Sequence, residues 1–160
     1  MNKINIAVFG LGVVGSALIK IIEKNKFVIN GSKIHIVGIK ASNKNKKRIF
    51  NTKKYNWIDS LSSLDDLKVD LIVELVGGTD KFVNSIYKYA VKKNISLITA
   101  NKAQLAEKGS QYYNLFDKNN LFLGFEAAVL GAVPVVRTIS QAILPKKIKS
   151  IYGIFNGTTN

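Results

Sequence analysis

Short apolar runs alternate along the chain with stretches that repeat at helical spacing. Ile4 to Phe9 is a compact apolar strand. From Val13 to Lys24, Ala17, Leu18, Ile21 and Ile22 recur on one helical face, with Lys20, Glu23 and Lys24 opposite. Ile34 to Ile39 is a second strand, followed by a polar, basic stretch from Lys40 to Asn56 with little periodicity. Val69 to Val76 is a third strand, closed by Gly77 and Gly78. Thr79 or Asp80 then caps a helix whose apolar face is Phe82, Val83, Ile86 and Ala90. A strand over Ile95 to Ala100, a helix from about Gly109 to Asn119, and a strand over Leu121 to Phe125 follow. Pro134 suits the start of another helix, ending by Pro145, and Ile148 to Phe155 reads as a last strand.

Strands separated by helices of ~10–15 residues imply right-handed βαβ units. The expected fold is therefore α/β: a Rossmann-type, doubly wound, mostly parallel sheet. The strands are nearly continuous in apolar residues because a parallel sheet is covered on both faces. His35 lies within a strand and receives no role. Trp57, Tyr112, Tyr113 and Phe116 read as packing residues.

Composition narrows the chemistry. With 160 residues, 47% hydrophobic and 21% charged, the chain is globular and about one domain long. The absence of cysteine removes disulfides, thiolate nucleophiles and thiolate metal sites, and a single histidine argues against histidine-rich metal centres. Lys3 followed by apolar residues to Ile19 resembles a secretory leader, but Gly10, Gly12 and Gly15 interrupt it. No apolar stretch reaches the ~18 residues of a membrane span, so a cytoplasmic location without membrane association is expected. The net charge of +14 comes from 24 basic and 10 acidic residues. All the bases except Arg48 and Arg137 are lysines, whereas readers of nucleic-acid phosphates favour the guanidinium fork. Nucleic-acid binding is therefore the lesser reading, and a basic surface is the plainer one.

Gly10-Leu11-Gly12-Val13-Val14-Gly15 is a G-x-G-x-x-G loop directly after the first strand and opening the first helix. In that setting Gly10 permits a tight turn, Gly12 lets a pyrophosphate approach the backbone, and Gly15 allows close packing of the helix. Free amides at the helix start then meet the anion. Residues Phe9 to Gly15 are thus expected to bind a dinucleotide. The acidic residue that NAD-preferring loops carry about 20 positions on is missing. No acid occurs in the 35 residues from Lys24 to Ile58, which include ten bases. Lys40 and Ser42 at the end of the second strand, with Asn43, Lys44 and Arg48 beyond them, suit a 2′-phosphate, so NADP is expected over NAD.

Several segments together resemble homoserine dehydrogenase. They are the glycine loop through Ser16, Val73-Glu74-Leu75-Val76-Gly77-Gly78, Thr99-Ala100-Asn101-Lys102, Phe125 to Pro134, and Gly153-Ile154-Phe155-Asn156-Gly157-Thr158-Thr159-Asn160. The resemblance implies hydride transfer between aspartate semialdehyde and homoserine, a step toward threonine and methionine, with a small amino-acid substrate. It implies that Gly77, Gly78 and Thr79 bind the nicotinamide side, and that Lys102 sits between cofactor and substrate as a supporting catalytic cation. Asn156, Gly157 and Thr158 match the substrate loop. Glu126 with the carbonyls of Val129, Gly131 and Val133 matches a sodium site, although Glu126 also suits a helix start near Pro134. The family continues into a substrate and dimerisation domain that carries its principal catalytic lysine. The resemblance therefore implies a nucleotide-binding domain over residues 1–145 and the first strand of the substrate domain over residues 146–160, the cofactor-binding portion of an enzyme that is a homodimer at full length. A dinucleotide-binding module without catalysis is the alternative reading. Aspartate semialdehyde dehydrogenase needs a cysteine nucleophile and is excluded.

Overall fold

A computed structural model describes residues 2–25, 28–29, 31–131, 133–142, 149–150 and 152. The strands are β1 (Lys3–Phe9), β2 (Val28–Ile29), β3 (Ser32–Lys40), β4 (Asn56–Trp57), β5 (Leu71–Glu74), β6 (Ser96–Thr99) and β7 (Leu123–Gly124). The helices are α1 (Val13–Asn25), α2 (Lys81–Lys92), α3 (Lys102–Lys118), α4 (Glu126–Val129) and α5 (Val135–Ala142). Two 3-10 segments, Thr52–Lys54 and Leu61–Leu67, lie between β3 and β5.

The sheet runs β3-β1-β5-β6-β7 in parallel. The far edge of β3 is shared by two short strands: β2 pairs antiparallel with its start, and β4 pairs parallel with Gly38 and Ile39 near its end. Starting from β4, the strands follow the spatial order 3-2-1-4-5-6 of a doubly wound dinucleotide fold. Strand order reverses between β1 and β5, and ligands of such sheets bind outside the strand ends at that point.

Strand periodicity explains the two cores. Ile6 and Val8 face one side of β1, joining Ile19 and Ile22 of α1, Ile36 and Ile39 of β3, Phe50 and Val73. Ala7 and Phe9 face the other side, against Val83, Ile86, Tyr87 and Ala90 of α2 and Tyr112 and Phe116 of α3. Gly38 admits Ile58 and Leu67 to this second core, since a Cβ there would lie 3.0 Å from Ile58 and 3.1 Å from Leu67.

Several elements depart from the sequence reading. Helix α3 begins at Lys102, well before Gly109, because the Asn101 side chain accepts a hydrogen bond from Gln104 N at 3.1 Å and nucleates the first turn. The cap of α2 is Asp80, one of the two residues expected there, whose Oδ1 accepts from Val83 N at 2.8 Å. The buried face of α2 includes Tyr87, while Phe82 is partly exposed beside Phe9. Trp57 is half-buried, with the Lys44 ammonium and the Arg48 guanidinium each 5.7 Å from its ring centre. Tyr113 is exposed and meets Phe125 edge-on. The strand expected over Ile148 to Phe155 falls largely outside the described residues.

Candidate functional site

Two turns meet at the carboxyl ends of β1 and β5. Leu75 N donates to Phe9 O at 2.7 Å, and Gly10 N donates to Lys40 O at 2.8 Å, fixing the chain as it leaves β1. Gly10 has φ +96, and a Cβ there would fall 2.3 Å from Leu75 O. The first glycine is therefore required by the second turn as well as by its own. A Cβ on Gly15 would fall 1.9 Å from Gly10 O, so the third glycine packs against the loop itself.

Gly12 differs from both. A Cβ there would meet nothing within 4 Å, leaving its face of the loop open. Leu11 is buried and anchors the turn, whereas Val13 is 89% exposed and Val14 62%. The first turn of α1 contains no acidic residue. Its orphan amides and positive dipole end thus face the crevice without an internal counter-charge, as an anion requires.

The second turn, Val76 to Thr79, is built around Glu74. This side chain is fully buried at the end of β5. Its Oε1 accepts from Val76 N at 2.8 Å and Gly77 N at 3.2 Å. Its Oε2 accepts from Thr99 Oγ1 at 2.7 Å and Tyr87 Oη at 3.1 Å. Burial, followed by the Glu74 charge and hydrogen bond, pushes the Tyr87 phenol well above its ordinary range, although its bond to Thr99 opposes this. Tyr87 therefore remains a donor. Gly77 and Gly78 have φ +79 and +76, and added Cβ atoms would meet nothing within 4 Å. Asn101 Nδ2 donates to Gly78 O at 2.7 Å, tying this turn to the start of α3. The next residue, Lys102, is exposed at the carboxyl end of β6.

On the β3 side, Ser42 is exposed and the Lys40 ammonium donates to Asp59 O at 3.0 Å. Arg48 donates to the carbonyls of Asn43 and Lys46, at 2.6 and 2.8 Å, so its guanidinium staples the basic loop together.

Glu126 opens α4 directly after β7. Its two oxygens accept from Val136 N at 3.0 Å and Arg137 N at 3.1 Å, so it caps α5. Gly131 turns the chain with φ +64, and Val133 O accepts from Val135 N at 2.9 Å. Among the described residues no group of three His, Cys, Asp or Glu side chains is placed to hold a metal. A cation here would take one shared carboxylate and backbone carbonyls, the donor set of a hard ion. A groove of about 660 Å³ opens beside β7, between Phe122, Phe125, Pro134 and Arg137. Asn156, Gly157 and Thr158 lie outside the described residues.

The sheet order, the open glycine loop and the paired turns together define a dinucleotide-binding domain of the Rossmann type. Residues 10–125 match the family model of the homoserine dehydrogenase NAD-binding domain. The chain belongs to the homoserine dehydrogenase family. It is 33% identical to the homoserine dehydrogenase of Neisseria gonorrhoeae, over all of this chain and 37% of that protein. The Lactococcus lactis enzyme is 34% identical, over 98% of this chain and 38% of its own length. The chain thus spans a little over a third of these relatives. Among solved structures, homoserine dehydrogenase from S. aureus aligns with a TM-score of 0.73 and 38% identity over 82% of this chain and 33% of that one. A hyperthermophilic archaeal homoserine dehydrogenase mutant in complex with NADPH, 23% identical, shares the fold with a TM-score of 0.70 over 90% of this chain and 50% of its own.

Proposed function

We propose that this chain binds NADP(H) and orients it for hydride transfer between aspartate semialdehyde and homoserine in the complete enzyme, on the path to threonine and methionine. The observation that carries the reading is the open face of Gly12 at the point where strand order reverses, flanked by α1 amides without an acidic neighbour. The bound dinucleotide supplies the hydride. In this reading the amides from Leu11 to Gly15 hold the pyrophosphate, and Phe9 and Gly10 form the floor. The turn Gly77-Gly78-Thr79 offers open backbone to the nicotinamide end. Lys102 presents a cation at the strand end, where it steadies negative charge developing on the substrate oxygen. Asn156, Gly157 and Thr158 contact the amino-acid substrate. The acid that protonates the substrate oxygen belongs to the length of the family that this chain does not span.

The acid-free stretch from Lys24 to Ile58 supports NADP over NAD. Ser42 is free to meet a 2′-phosphate, and Lys40 reaches it once released from the Asp59 carbonyl. A monovalent cation such as sodium is assigned to Glu126 and the carbonyls of Val129, Gly131 and Val133, sharing a carboxylate that already caps α5. The complete enzyme is assigned as a cytoplasmic homodimer. No helix among the described residues is long and apolar enough to cross a membrane.

Titrating the chain with NADPH and NADH tests the reading. It predicts saturable binding of both, with NADPH tighter. Equal or tighter NADH binding contradicts the NADP preference, and no binding of either contradicts the function.

A further inference from the structure

The Glu74 network reaches beyond β5. Its carboxylate receives hydrogen bonds from two backbone amides of one crevice wall, Val76 and Gly77. It also receives the Thr99 hydroxyl; Thr99 Oγ1 in turn accepts from Asn101 N at 2.9 Å, and the single Tyr87 phenol proton is shared between Thr99 Oγ1 at 2.9 Å and Glu74 Oε2 at 3.1 Å. Asn101 closes the circuit by donating to Gly78 O and capping α3, which starts at Lys102. One buried side chain therefore connects the glycine turn after β5 with the residue preceding Lys102. Every partner of Glu74 is a donor, and only a carboxylate accepts from all of them at once. With an amide in its place, Nε2 would have to face the two hydroxyls, leaving one proton of the Thr99–Tyr87 pair without an acceptor in a dry site. Cβ atoms added at Gly77 and Gly78, both at positive φ, would meet nothing within 4 Å, so the hydrogen bonds of this network rather than side-chain packing hold their orientation.

We propose that Glu74 is the positioning residue of the crevice: it touches neither cofactor nor substrate, but sets the Val76–Gly78 wall and the Asn101–Lys102 corner in register for the nicotinamide end of the dinucleotide. The inference rests on the dinucleotide reading above and adds a division of labour to it. The α1 loop holds the diphosphate, Lys40 and Ser42 the adenosine side, and Glu74 governs the nicotinamide side alone.

That division makes the test selective. The full chain and its Glu74→Gln variant are titrated with NADPH and with ADP-ribose 2′-phosphate, which lacks the nicotinamide ring. The expected result is NADPH binding weakened about tenfold in the variant, with the fragment bound as tightly as before. Where Glu74→Gln does not fold, Thr99→Val removes the hydroxyl that joins the two walls and is expected to give the same split. Equal losses for both ligands in a folded variant assign Glu74 to general stability and overturn the proposal, as does no loss for either. An unmodified chain that binds neither ligand overturns the dinucleotide reading itself, and the proposal with it.

Discussion

The three glycines of the first loop are alike in sequence and unlike in environment. Gly10 and Gly15 are held against backbone atoms, with Cβ positions 2.3 and 1.9 Å from carbonyl oxygens, whereas Gly12 faces open space. Gly10→Ala and Gly15→Ala should each destabilise the fold by roughly 1–3 kcal/mol or more, measured by denaturant unfolding. Gly12→Ala should stay within about 0.5 kcal/mol of the parent and yet weaken NADPH, because its methyl occupies the ligand's path. A Gly12→Ala variant that is unstable, or that binds normally, would contradict the assignment. The glycine spacing was legible in the sequence. The partner of Gly15 was not, since only folding brings Gly10 O beneath it. Glu74 left a fainter mark: a single acid inside the apolar run Leu71 to Val76. Such a residue has to find donors when buried, and those donors come from Tyr87 and Thr99, distant in sequence.

Elements driven by apolar periodicity could be read directly. Strand β1 announced itself by buried residues on both faces, and α1 by its stripe. The first turns of α3, Lys102 to Lys108, carry only Leu105 and two alanines as apolar residues, and their anchor is the polar Gln104, fully buried. No hydrophobic pattern marks such a start. It is set by the Asn101 cap, which also holds Gly78 O. Asn101→Ala should therefore cost about 1–2 kcal/mol in thermal or denaturant unfolding. It should also loosen the Gly78 turn, seen as faster amide exchange at Gly77 and Gly78. Normal stability would remove the cap from this account. The two-residue strands β2 and β4 escaped notice because each is defined by its pairing to β3 rather than by its own residues. Trp57 belongs with them: its indole serves the basic loop as much as the core.

At the scale of the molecule, acid and alkali act on different groups. The Tyr55 hydroxyl, and then Lys54, hold the Glu23 carboxyl below its usual 4.5. Lys93, and then Tyr89, hold Asp65 below its usual 3.8. Both carboxyls release protons more readily in the folded chain, so the stability they contribute is present above those usual values. It is lost as pH falls through the lower folded values. Burial raises the phenols of Tyr55, Tyr87, Tyr89 and Tyr112 above 10. The unfolded chain therefore loses phenolic protons first, and stability declines as pH rises beyond 10. A phenolate absorbance titration should show these tyrosines ionising together with alkaline unfolding. Smooth titration near pH 10 in the folded chain would contradict their burial. Legibility at this scale was uneven: the parallel sheet followed from alternating elements, whereas the crevice needed β1 and β5 to be neighbours.

The most direct measurement is an amide NMR titration of the full chain with NADPH. The largest shift changes are expected at Leu11 to Gly15 and at Val76 to Thr79, saturating together. Changes confined to the lysine-rich groove between α2 and α3, around Lys81, Lys88 and Lys108, or no changes at all, would contradict the account.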